Sequence, residues 1–213
     1  EKMTTNALLE ALNILYTREE LLSKLRGHNP ESFALLRRWR ELIKDSLVGL
    51  AEEIRHTVDL DSPEIPIGYM ESGSSDTDGD VTLALSKAFA GPHHTPFSRL
   101  YGIRYNGMRA ELLPADLYHA IYQKQHITGD FIFYQEADPF PHTRFITAAR
   151  EMKTLMAAAY SLGFDGSTFQ TQQLLDHPNE ENTYGQMFCR ERARMNALHK
   201  AAKQCELKGA EIC

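Results

Sequence analysis

The sequence predicts a mainly α fold with a small β component, in which an N-terminal strand-helix-helix element sits on a helical body. Three observations predict it. Apolar residues recur at helical spacing, most plainly Phe33, Leu36, Ile43, Leu47, Leu50 and Ile54. Start and stop signals bracket such stretches: Thr17 with Glu20 and Asn29 with Pro30 ahead of them, Gly27 and Gly163 behind. The apolar runs that could be strands are short and few. The 213 residues suit one compact domain, divided here into the element over 1–56 and the body over 57–213.

The elements follow in chain order. Residues 11–16 read as a strand, with Leu12, Ile14 and Tyr16 on one side and Asn13, Leu15 and Thr17 on the other. Thr17-Arg18-Glu19-Glu20 is a capping box, so a helix starts there and runs to Arg26, with Gly27 as its stop. Asn29 caps a second, long helix with Pro30 in its first position, reaching about His56; Gly49 is a weak point in it. Residues 57–80 read as a loop. Val81–Leu85 is a strand or the start of a helix to Phe89, broken by Gly91-Pro92. Tyr101–Tyr105 is a possible strand. Pro114 opens a helix to Gln125 with Leu117, Ile121 and Tyr122 inward. Phe131–Tyr134 is a short apolar run. A helix from Thr143 or Arg144 stops at Gly163, and a last one covers about 180–207.

Composition narrows the function classes. A 42% hydrophobic fraction supports a core and excludes a disordered chain. No apolar run approaches the roughly 20 residues of a membrane helix, and the first residues form no secretory stretch, so a cytoplasmic location is expected. Cys189, Cys205 and Cys213 lack CxxC spacing, which speaks against a disulfide framework and a zinc site. The net charge is −6, unfavourable for nonspecific nucleic-acid binding, yet residues 17–44 carry seven Lys/Arg against four Asp/Glu. Such a segment can act locally, because charge is felt over a Debye length of roughly 8–10 Å.

Candidate chemistry is sparse, and the chain is expected not to be an enzyme. Asp76, Asp78 and Asp80 resemble calcium ligands, but Lys87 occupies the twelfth position where the loop needs a bidentate Glu, so a solvated acidic loop over 71–80 is the simpler reading. His93-His94 would need a third ligand from His119, His126 or His142, and no spacing supplies one. Arg194, or Arg192, with His199 fits the spacing of HEPN ribonucleases, in which a guanidinium steadies a phosphate and an imidazole moves a proton. A solvated basic helix face gives the same spacing. No catalytic residue, metal, cofactor or small-molecule ligand is assigned.

The N-terminal order of strand, capped helix, Gly turn and Asn-capped helix is that of a ribbon-helix-helix module. Strands from two subunits would pair into a ribbon that fits the major groove, which implies a homodimer on double-stranded DNA. Asn13 could pair with an adenine edge and Leu15 could touch a thymine methyl, with Thr17 on the same outward face. Arg18, Lys24, Arg26 and His28 would contact phosphate, and the Asn29 end of the second helix would offer it free amides. A simple helical hairpin with a basic face is the other reading.

Leu12–Gly27 (LNILYTREELLSKLRG) resembles the opening of the AcaB-type proteins of conjugative plasmids and integrating conjugative elements. Residues 97–129 are similar too, through Phe97, Tyr101-Gly102, Leu112-Leu113, Asp116 and His126 before Gly129, leading into a helix over 144–162. The resemblance implies a sequence-specific transcriptional activator of transfer genes with ribbon-helix-helix elements. It carries over no catalytic residues. The first rival is the HEPN-like ribonuclease, and the second a non-enzymatic helical adaptor.

Overall fold

The computed structural model describes residues 16–71, 81–101, 113–137, 147–169 and 183–205. They fall into two units, one within 16–66 and 81–93, the other within 67–71 and from 94 onward. Expectations that rest on 11–15, 72–80, 102–112 and 138–146 lie outside the described residues.

The first unit is helical: α1 (Arg18–Leu25), α2 (Pro30–Asp59) and α3 (Thr82–Ala90). Thr17 caps α1 with the expected box, its hydroxyl accepting from Glu20 N while Glu20 reaches back to Thr17 N at 2.8 Å. Gly27 ends the turn for a steric reason. A Cβ there would stand 2.2 Å from Ser32 Oγ, and Ser32 is buried. The second helix runs three residues beyond His56, to Asp59, and passes through Gly49 unbroken. Its C-terminal half packs on α3 through Ala51 and Arg55, which are buried. Arg55 Nη2 meets Asp59 at 2.7 Å and Nη1 donates to Ile65 O at 2.7 Å, so its charge is paired in the interior. Residues 81–90 resolve to the helical alternative, and Gly91 closes α3 at φ 60, with Arg55 Cγ 3.1 Å from where a Cβ would sit.

The second unit is the small β component with its helices. Strands β1 (Tyr69–Met70), β2 (Phe97–Leu100), β3 (Ile132–Ala137) and β4 (Gly166–Phe169) form one sheet in the order 1-2-3-4, every pair parallel. Helices α4 (Leu113–His126), α5 (Ala149–Ser161) and α6 (Thr183–Gln204) complete it. Leu117 of α4, Ala137 of β3, Met152, Leu155 and Met156 of α5, and Met187 and Met195 of α6 share one core, so the three helices pack together at the end of β3. Neighbouring parallel strands need such crossover connections.

Several expectations are corrected. Of the strand expected at Tyr101–Tyr105 only Tyr101 is described, and it is not in a strand; the described strand is Phe97–Leu100, which matches the ladder of β3 from Phe97 opposite Ile132 to Leu100 opposite Gln135. Neither β1, inside the expected loop, nor β4 was anticipated. On α4, Tyr122 faces outward, 52% exposed, since Ala120 and Gln123 take the buried positions beside Leu117. Thr147 and Ala148 are not helical, so α5 starts at Ala149 and not at 143 or 144. Ala148 has no side-chain acceptor, but Glu151 reaches back to its N–H at 3.0 Å, and Tyr184 Oη donates to Thr147 O. The last helix is Thr183–Gln204, ending before Cys205.

Candidate nucleic-acid interface

The hairpin of α1 and α2 holds every described residue expected at the interface. Asn13 and Leu15, the expected base readers, lie outside the described residues. Tyr16, the last residue of the expected strand, is in neither helix nor strand, and Lys24 Nζ lies 5.0 Å from its ring centroid. Thr17 is exposed, but its hydroxyl is engaged with Glu20. Those same bonds, first the one from the Thr17 backbone, hold the Glu20 carboxyl below its ordinary value.

The cations divide into paired and open groups. Lys24 Nζ lies 3.0 Å from Glu31 Oε1, and that hydrogen bond holds its ammonium above the usual lysine value. Arg38 lies 3.4 Å from Glu41. Arg18, Arg26, His28 and Arg37 are exposed and have no ion-pair partner among the described residues. Arg37 was not among the residues singled out from the sequence, because its place on the open side of α2 depends on what the helix packs against.

The amide cradle expected at Asn29 is mostly filled. Asn29 Oδ1 accepts from Ser32 N at 2.9 Å and Asn29 O accepts from Phe33 N at 3.0 Å. Pro30 has no N–H, and Glu31 adds a negative charge in the same turn. The side chain that makes Asn29 a good cap is therefore spent on the helix.

Two polar clusters occupy the second unit. At the carboxyl ends of β1 and β2, Glu71 is fully buried; its Oε2 accepts from Tyr101 N at 2.7 Å and its Oε1 from Gln123 Nε2. His119 Nε2 lies 3.2 Å from Gln123 Nε2 and 3.8 Å from Glu71 Oε1, and Arg99 joins Glu71 O to Glu136 Oε1 at 2.9 Å. The partners of Glu71 are the residue just after β2 and a residue of α4, so the cluster ties strand ends to α4. Near the amino end of β4, Asp165 accepts from Phe133 N at 2.9 Å and pairs with Lys203 at 2.8 Å. Lys124 sits near this carboxylate, its ammonium held below the usual value first by burial and then by Lys203. Burial, then the nearby Tyr134 and Asp165, pushes the Tyr160 hydroxyl up.

His199 belongs to that second cluster. Its Nδ1 is 2.9 Å from Phe164 O and its Nε2 3.8 Å from Asp165 Oδ1. Arg194 lines a groove with Lys153 and Glu191, and His199 is not among the residues that line it. Arg192 borders a cleft that Tyr160 also lines, and Tyr160 meets His199 edge-on at 6.0 Å. Among the described residues no group of three or more His, Cys, Asp or Glu could hold a metal ion, and no helix is long and apolar enough to cross a membrane.

No family profile, curated protein or solved structure matches the chain.

Proposed function

We propose that the protein is a sequence-specific regulator of transcription that binds double-stranded DNA through the α1–α2 hairpin. The observation that carries this is the open cationic set of Arg18, Arg26, His28 and Arg37 on one hairpin, beside cations that carboxylates already neutralise. Guanidinium groups without a partner gain by releasing counterions from phosphate, and this gain is local, so an acidic chain can bind through a basic face. The resemblance of Leu12–Gly27 to AcaB-type activators supports the same reading and adds the class of target, promoters of transfer genes. In it, Asn13 and Leu15 read base edges in a ribbon shared by two subunits, and the arginines set register.

The test is a gel-shift titration against specific and competitor duplexes across a salt series. Affinity should fall steeply with salt, and Arg26→Ala should weaken binding to every duplex and lower the salt slope by about one. Asn13→Ala should relax discrimination at one base position. Affinity that ignores salt, or that is unchanged in Arg18→Ala/Arg26→Ala, overturns the proposal.

A further inference from the structure

The apolar stripe of α2 steps by three and four residues from Phe33 to Ile54 and is interrupted once, by Arg40 between Leu36 and Ile43. That alternation has the spacing of the a/d seam of a coiled coil, with Leu35, Trp39 and Leu42 half-buried beside it. Leu36, Arg40 and Ile43 are half-buried, and the described residues leave the other four positions of the row exposed. Ala51 and Arg55, one position round from Leu50 and Ile54, take the packed face against α3. Phe33 is 54% exposed, Leu47 37%, Leu50 54% and Ile54 40%. Surface leucines scattered singly need no explanation, but four exposed apolar residues on one row at heptad spacing do.

Charge along the helix selects the occupant. Residues 33–44 carry four cations and one carboxylate, whereas residues 45–59 carry four carboxylates and one cation. We infer that a second copy of this chain docks antiparallel on the α2 seam. Antiparallel, the basic half of each helix lies along the acidic half of the other, and the helix dipoles oppose. A pairing centred at Asp45 sets Leu47 against Ile43 of the second copy and Ile54 against Leu36 of the second copy. Arg40 then faces Leu50 of the second copy, within a turn of its Glu53. A parallel pair would put Arg40 against Arg40 in the seam and stack like charges along the whole length, which is disfavoured. The inference rests on the seam and the charge halves alone and stands whether or not the chain binds DNA.

Sedimentation equilibrium of the full 213-residue chain over a concentration series tests it. The chain should be a dimer. Leu50→Asp should weaken the dimer at least about tenfold while leaving helix content unchanged, since α2 packs on α3 through other positions. Glu52→Lys/Glu53→Lys should also weaken it at least about tenfold, and adding Arg37→Glu/Arg38→Glu to that variant should restore it, as only an antiparallel pair brings those halves together. A wild-type monomer, which would mean that the stripe is covered within the chain, overturns the inference. So does a dimer indifferent to Leu50→Asp, or a four-residue reversal that fails to restore. The gel-shift result is separable: a dimer that ignores DNA sinks only the DNA reading, and a monomer that binds DNA through Arg18 and Arg26 sinks this inference and the two-subunit ribbon but not the basic hairpin face.

Discussion

Thr17 and Glu20 occupy one another, which decides what each can do elsewhere. The hydroxyl that could have faced a base is committed to the first turn of α1, and the carboxylate that accepts from Thr17 N is held below its ordinary value by that bond. Thr17→Ala should therefore cost about 1 kcal/mol of stability, read from the urea midpoint of the hairpin transition. Because the folded value of Glu20 is depressed, its contribution is present above the ordinary carboxylate value near 4.5 and is lost as pH falls through the folded one. Glu20→Gln should flatten the acid limb of the stability profile, and an unchanged limb would count against the box. This pairing was legible in the sequence, because a capping box spans four residues and needs no distant partner. Glu71 shows the reverse. It read as the start of a solvated acidic loop, and only the fold brings it Tyr101 N and Gln123 from 30 and 52 residues away.

At the scale of elements, helices with local punctuation were legible and strands were not. Asn29-Pro30 marked α2, and Gly91 and Gly163 stand just beyond α3 and α5. The strand Gly166–Phe169 has no alternation of its own, and Tyr69–Met70 is two residues long; both exist because a neighbouring strand supplies the ladder. Glu71 holds two of these elements to α4, so its side chain should matter more than its place in a loop suggests. Glu71→Ala leaves Tyr101 N and the Gln123 amide without that acceptor and should cost about 3 kcal/mol, measured by thermal unfolding of the second unit. A loss below about 0.5 kcal/mol, the range of ordinary surface changes, would show that the cluster is not needed to hold the strand ends.

The whole molecule is threaded so that its first unit is discontinuous in sequence. The chain leaves the helical unit at Pro66, enters the sheet at Tyr69, and returns to supply α3 before joining the sheet for good. A boundary at residue 56, as the sequence suggested, would separate Ala51 and Arg55 from the helix that buries them. A fragment ending at residue 93 should accordingly show more helix and a sharper thermal transition than one ending at residue 66, by circular dichroism; equal behaviour would mean that α3 contributes nothing to α2.

By itself the sequence determined where α1 and α2 start, the three-and-four spacing of the apolar residues of α2 and the uneven spread of charge along it. Each of these is set within a turn or two, by hydrogen bonds and side chains that meet whatever the rest of the chain does. The tertiary structure alone decided that the strands pair parallel in sequential order, that Arg55 and Glu71 go inside, and that the packed face of α2 lies beside its apolar stripe. Burial and strand pairing depend on residues tens of positions apart, and no local pattern encodes which of two adjacent helix faces its partner will cover.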